Sequence, residues 1–164
     1  ESLCYDYMRM HGLEIRIARI FNTYGPRMLL NDGRLISNLL VQSIHGKELT
    51  IYGNGNQTRS FCFIDDLIDG LTLLMNSSNI GPMNLGNPEE LSILQVANLI
   101  RNSSIKKLNL KFSKELEDDP LRRKPSIDLA QKELNWKPKM MFNQGLEITR
   151  EYFQNKLDLE KINN

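Results

Sequence analysis

The chain has 164 residues, 40% of them hydrophobic and 25% charged, and its 21 Lys and Arg against 20 Asp and Glu leave a formal net charge of +1. That length suits one domain of ordinary size, and the charge balance argues against a general nucleic-acid binder, which carries a basic excess on one face. No apolar run approaches the roughly 18 residues that span a bilayer, and Cys4 and Cys62 make neither a disulfide framework nor a zinc cluster, so a soluble cytoplasmic protein is expected.

Residues 1–10 read as a helix already under way, with Leu3, Tyr7 and Met10 on one face and Gly12 placed to end it. No capping residue, initiator Met, signal peptide or transit peptide precedes it, so a fragment that begins inside a helix is expected. Residues 14–20 alternate apolar and charged side chains as a strand does, and Phe21 to Pro26 break that pattern with turn chemistry. Leu35, Ile36, Leu39, Leu40 and Ile44 have helical spacing. A short strand, Leu49 to Tyr52, leads into the turn Gly53 to Asn56, where a glycine turn is a better reading than a phosphate cradle. Residues 60–64 are extended, and Asp65 or Asp66 is expected to cap a helix with the buried stripe Leu67, Ile68, Leu71, Leu74 and Met75.

Met83 to Gly86 form a brief strand. Ser92-Ile93-Leu94-Gln95 matches a capping box, opening a helix to about Ile100. A further strand spans 108–112, and the charged stretch 113–124 reads as a loop. Pro125-Ser126 introduces a short helix ending at Leu134. Phe142-Asn143 start the last helix, with Leu146, Ile148, Tyr152, Phe153 and Leu157 as buried candidates. There is no internal repeat, and the alternation of strands and helices indicates an α/β fold. No strand is followed by a G-x-G-x-x-G or G-x-x-G-x-x-G turn, so nothing in the chain cradles a dinucleotide pyrophosphate.

Four segments together resemble the UDP-glucuronate decarboxylase (UDP-xylose synthase) family of extended short-chain dehydrogenase/reductases. They are Arg19-Ile20-Phe21-Asn22-Thr23-Tyr24-Gly25-Pro26-Arg27 followed by Asn31-Asp32-Gly33-Arg34, then Tyr52 to Phe61, then Asn84-Leu85-Gly86-Asn87-Pro88-Glu89-Glu90. The last runs from Asp118-Asp119-Pro120 to Arg122-Arg123-Lys124-Pro125. The first and third would suit many nucleotide-sugar epimerases and dehydratases. The Asn31 to Arg34 loop and the Asp118 to Pro125 segment narrow the resemblance to the decarboxylase.

The resemblance implies the C-terminal, substrate-binding part of an NAD(P)-binding Rossmann-like fold whose N-terminal half is absent. Residues 1–12 would end the helix after a Tyr-x-x-x-Lys pair, 13–158 would bind substrate, and 159–164 would form a tail. Tyr5 and Arg9 mimic that pair but follow its place in the family pattern, so they are not taken as catalysts. The cofactor implied is NAD, the substrate a UDP-sugar, and the full enzyme a homodimer formed in part through the opening helix. NAD would oxidise the sugar at C4, the β-keto acid would lose CO2, and protonation at C5 with hydride return would give UDP-xylose. The chain alone is expected to be inactive.

Residue by residue, Arg59 would lie with the nucleotide, and Arg123 would hold the sugar carboxylate or assist protonation. A solvated surface charge is the plain alternative for either, and Arg122 and Lys124 are read as solvated neighbours. Asn22, at the C-terminal end of a strand, would donate to a phosphate oxygen or else serve its local turn. Thr23 would approach the nicotinamide. Tyr52 would wall the uridine or be an ordinary buried strand aromatic. Arg34 would face substrate or cofactor, with Leu35 and Ile36 following along the nucleotide. His11 and His45 read as surface residues at helix ends, Asp65-Asp66 as a cap, Asp118-Asp119 as loop, and both cysteines as buried hydrophobes. Two rivals remain: a 4-epimerase or 4,6-dehydratase half, and a non-catalytic uridine-nucleotide binding module.

Overall fold

Short parallel strand pairs backed by helices organise the computed structural model, which describes residues 1–115, 120 and 122–162. The elements in order are α1 (Ser2–His11), β1 (Ala18–Ile20), β2 (Thr23–Tyr24), α2 (Leu35–Ile44), β3 (Leu49–Tyr52), β4 (Thr58–Ser60) and β5 (Cys62–Phe63). Then come α3 (Ile64–Met75), β6 (Met83–Leu85), β7 (Glu90–Ser92), α4 (Ile93–Asn102), β8 (Leu110–Ser113), β9 (Arg122–Arg123), α5 (Asp128–Leu134) and α6 (Phe142–Ile162). β1 pairs parallel with β6, β2 with β5 and β3 with β8, while β4 lies between antiparallel β7 and parallel β9. The α/β expectation holds.

Local signals account for several elements. At Gly12 the backbone takes φ 64 and its N–H closes α1 on the Met8 carbonyl, a turn that suits a residue without Cβ. The capping box of α4 is complete: the Ser92 hydroxyl accepts from the Gln95 N–H at 3.1 Å and the Gln95 side chain accepts from the Ser92 N–H at 2.7 Å. Gly53 and Gly55 both have positive φ in the β3–β4 connection, as a glycine turn requires.

Other expectations need correction. Only residues 18–20 of the expected first strand pair as a strand, and the turn after it contains β2, held by β5. Neither Asp65 nor Asp66 caps α3; the helix begins at Ile64, and the buried Asp66 carboxylate accepts the Met140 N–H at 2.9 Å. In the expected stripe of α3, Ile68 and Met75 are exposed, as is Ile148 in α6, where Thr149 is buried. Cys4 is exposed and only Cys62 is buried. The expected loop 113–124 includes β9, while Asp118-Asp119 lie outside the described residues. The face Leu3, Tyr7 and Met10 of α1 is exposed, so its helical period is not matched by burial among the described residues. No described helix is long and apolar enough to cross a membrane.

Two cores support these elements. One joins α2, α4 and α6 through Leu39, Leu40, Val96, Ile100, Phe142 and Phe153; the other packs Leu67, Leu74, Met83, Leu85 and Trp136 between α3, β6 and the end of α5. In the first, Tyr24 is buried with its hydroxyl donating to the Phe142 carbonyl at 3.1 Å, and burial pushes its phenol pKa well up. Gly145 of α6 makes that approach possible, because a Cβ there would lie 2.4 Å from the Tyr24 hydroxyl and 2.8 Å from the Phe63 ring. Gly145→Ala is therefore expected to destabilise the protein by about 1–3 kcal/mol despite the better helix propensity of Ala, read as a lower urea midpoint at constant slope.

Candidate functional site

Parallel strands leave their C-terminal ends open, and in α/β sheets ligands bind there. Here the chain leaving β1 and entering β2 forms the rim between two hollows. The larger, of about 1330 Å³, is lined by Ile20, Phe21, Asp65, Ile68 and Arg123 among others. The smaller, of about 310 Å³, is lined by Leu35, Ile36, Tyr52, Gln57, Arg59 and Phe61 among others. Asn22, Thr23, Met28 and Arg34 border both. Every site residue named from the sequence thus lines one hollow or the other.

The Asn22 carbonyl accepts from the Cys62 N–H at 2.8 Å, which pins the end of β1 against β5. Its side-chain amide makes no hydrogen bond among the described residues, so the local-turn reading is not what the structure has. Thr23 donates its hydroxyl proton to the Phe21 carbonyl at 2.9 Å, leaving the oxygen as an acceptor. Tyr52 is 43% exposed, which overturns the buried-aromatic alternative; its ring stands at the mouth of the smaller hollow. The Gln57 amide donates to the Tyr52 carbonyl at 2.9 Å and holds that turn.

Arg59 is only 8% exposed, so it is no solvated surface charge, and its Nη1 donates to the Thr58 carbonyl at 2.8 Å. Arg123 is its register partner on β9, which sets the two α-carbons one strand spacing apart, roughly 4.8 Å. Register partners on paired strands share a face of the sheet, and the two cations line neighbouring hollows: Arg59 the smaller, Arg123 the larger. Arg34 precedes α2, where its N–H donates to the Asp32 carboxylate at 3.0 Å and its guanidinium lies 3.6 Å from the same group. Ser37 also donates to Asp32, so this side chain shapes the loop that brings Arg34 to the rim.

Arg122 and Lys124 are not merely solvated. Arg122 donates to both Glu90 oxygens, at 2.8 and 2.6 Å, and Lys124 Nζ lies 3.5 Å from the same carboxylate. Hydrogen bonds from Arg122 and Thr58 hold the Glu90 carboxyl down to about 2. Burial pushes the Cys62 thiol up to about 12, so it is inert at neutral pH. Among the described residues no group of His, Cys, Asp and Glu has the arrangement of a metal site.

Asp32, Gln57 and Glu90 stand inside the family motifs without a role that the sequence alone assigns. Gln57 stood inside the Tyr52 to Phe61 motif, and Asp32 had the signature of a residue preceding a helix. Glu90 closes the Asn84 to Glu90 motif, but no local pattern points to its partners, which lie 32 residues away.

Residues 1–86 match the model of the NAD dependent epimerase/dehydratase family. The sequence is 47% identical to UDP-glucuronic acid decarboxylase 1 of Xenopus tropicalis, covering 99% of this chain and 39% of that protein. It is 44% identical to UDP-glucuronic acid decarboxylase 5 of Arabidopsis thaliana, covering 98% of this chain and 47% of that one. The chain spans less than half the length of these curated relatives. Among solved structures, UDP-glucuronic acid 4-epimerase from Bacillus cereus, in complex with UDP-glucuronic acid and NAD, is similar with a TM-score of 0.86 and 31% identity, covering 94% of this chain and 50% of that one.

Proposed function

Because this chain belongs to the NAD dependent epimerase/dehydratase family, we propose that it supplies the substrate-binding half of a UDP-glucuronate decarboxylase, which converts UDP-glucuronate and a proton to UDP-xylose and CO2. The observation that carries this reading is the pair Arg59 and Arg123, adjacent across β4 and β9 but serving neighbouring hollows. A UDP-sugar acid has two anionic ends to match them, a diphosphate and a sugar carboxylate. The decarboxylase relatives in frog and plant support the same substrate.

In this reading the uracil lies against Tyr52 with Leu35 and Ile36 beneath the nucleoside. Arg59 and the Asn22 amide donate to the diphosphate. Arg34, on the rim, adds positive charge where nucleotide meets sugar. Arg123 faces the carboxylate and, being permanently cationic, stabilises the electron pair left on the sugar as CO2 departs.

The larger hollow fits the nicotinamide end of NAD. Its wall has the partly exposed apolar side chain of Ile20 and that of Ile68 for a ring face, with the Thr23 oxygen as an acceptor beside them. It offers no glycine-rich turn at a helix start for the pyrophosphate, a task left to residues outside this chain. When bound, NAD supplies reversible acceptance of the hydride from sugar C4. Residues 13–158 would bind substrate, 1–12 would end the catalytic helix and 159–164 would be a tail. The full-length protein would be a cytoplasmic homodimer, with the exposed Leu3, Tyr7 and Met10 of α1 as contact face, and this chain alone would be inactive.

The similarity to a UDP-glucuronic acid 4-epimerase favours one second reading, epimerisation of the same substrate. The two differ in product. Incubating the full-length protein with UDP-glucuronate and NAD is expected to release CO2 and form UDP-xylose, followed by mass spectrometry. The C4 epimer, which keeps the substrate's mass and is recognised by its proton NMR spectrum, would establish the second reading instead. Arg59→Ala is expected to weaken UDP binding about 10- to 100-fold by calorimetry, since a charge-assisted contact to phosphate is lost from a largely buried side chain.

A further inference from the structure

We propose that Glu90 is a positioning residue: it grips the two cations that flank Arg123 and so keeps Arg123 turned into the larger hollow. This inference rests on the reading of Arg123 as the group facing the sugar carboxylate.

The need for such a grip follows from how little else holds β9. The strand has two residues, Arg122 and Arg123, and its one neighbour in the sheet order β7-β4-β9 is β4. A pair of that length has little intrinsic stability. The Ser60 hydroxyl adds one bond to the Arg123 carbonyl at 3.3 Å, which fixes the backbone and not the side chain. Nothing among the described residues engages the Arg123 guanidinium, so its direction is set by the strand that carries it.

That direction is governed through the neighbours. Side chains alternate along an extended segment, so Arg122 and Lys124 point to one side when Arg123 points to the other. The linings agree: Arg122 and Lys124 border a hollow of about 680 Å³ with Pro125, Ser126 and Asp128, and Arg123 borders the larger cleft instead. Glu90 sits on β7, on the far side of β4, as the register partner of Ser60. From there its Oε1 accepts from Arg122 Nε at 2.8 Å and from the Thr58 hydroxyl at 2.9 Å, and its Oε2 accepts from Arg122 Nη2 at 2.6 Å. The fork-to-fork pair fixes a plane as well as a distance. Lys124 closes the same carboxylate at 3.5 Å. One carboxylate therefore ties both edges of the three-stranded sheet together across β4 and holds residues 122 and 124 to one face.

Exposed ion pairs contribute little to global stability, and the Arg122 side chain is 67% exposed. The consequence of the grip is accordingly expected in orientation, where small displacements of a catalytic group are costly. With its carboxyl held down to about 2, Glu90 stays ionised throughout the working pH range.

The test is a double-mutant cycle in the full-length protein, following CO2 release from UDP-glucuronate, UDP affinity by calorimetry and the melting temperature. Glu90→Gln is expected to lower kcat about 10- to 100-fold with UDP affinity unchanged and Tm moved by no more than about 2 °C. In an Arg123→Ala background the same substitution should lower kcat no further, because the group it positions is already gone. The exchange Glu90→Arg with Arg122→Glu should recover part of the lost kcat. Should Glu90→Gln fold poorly, Arg122→Gln opens the same grip from its other end with the same expected readings. The inference is overturned if kcat is retained, if it falls equally in the Arg123→Ala background, or if UDP affinity falls by the same factor. A wild-type protein that releases no CO2 overturns the decarboxylase reading itself, and this inference with it.

Discussion

Replacing Arg123 by Ala is expected to lower kcat for UDP-glucuronate about 100- to 1,000-fold, the cost of removing one preorganised charge-stabilising group from an active site. The expectation follows from where the side chain stands. Arg123 borders the larger hollow, while the cation placed for the diphosphate, Arg59, belongs to the smaller one. The loss should therefore fall on the chemical step and spare UDP, which lacks the sugar carboxylate. Calorimetry with UDP beside steady-state kinetics separates the two quantities. Arg123→Lys should recover only part of the rate, since an ammonium keeps the charge but not the planar fork that meets a carboxylate at two points. An Arg123→Ala protein that loses UDP affinity and retains kcat would assign this residue to the nucleotide and remove the basis for decarboxylation.

Trp136→Ala is expected to cost about 3–5 kcal/mol of stability, the range for truncating a large buried aromatic. Trp136 is 3% exposed and lies in the second core with Leu67, Leu74 and Leu85. Its indole N–H donates to the Asp66 carbonyl at 2.9 Å, and a Cβ at Gly70 would lie 2.9 Å from its ring, so helix α3 is laid directly on the indole. The neighbouring Asp66 carboxylate holds the Met140 N–H, so the segment after α5 is tied to α3 twice. Truncation leaves a cavity under the helix whose Ile64, Leu67 and Ile68 line the larger hollow. Urea denaturation followed by circular dichroism is the suitable measure, because the chain has one tryptophan and the variant has no fluorescence of that kind. Trp136→Phe should cost less, since it keeps apolar bulk and loses only the N–H contact and part of the ring.

Several features were legible from residues alone because their causes are local. Helix α2 follows from the spacing of Leu35, Ile36, Leu39 and Leu40, and its bounds in the structure are Leu35–Ile44. The start of α4 follows from Ser92 and Gln95, whose reciprocal bonds need only the residues between them. The family motifs brought Asn22, Thr23, Arg34, Tyr52, Arg59 and Arg123 to notice, and all line the paired hollows. Motif segments could name them without geometry because the family resemblance matches residue types in order along the chain and not the contacts they make.

Tertiary structure decided what depends on distant partners. β2 and β9 have two residues each, too few to carry a period, and they exist because β5 and β4 pair with them. Exposure also defied pattern: Ile68 has helical spacing yet faces the larger hollow, since the direction of a stripe depends on what packs against the helix. Asp66 had the composition of a cap, but its carboxylate is taken by Met140, 74 residues on. Arg122 and Lys124 read as solvated neighbours until the sheet brought them to the Glu90 carboxylate. Residue order alone was enough for the α/β class, the end of α1, the start of α4, the β3–β4 turn and the residues of the motifs, because backbone preference and periodicity act within a few neighbours. Which cation is buried, which is gripped and which is left facing the cleft was decided only by strand pairing, which joins residues that no local pattern connects.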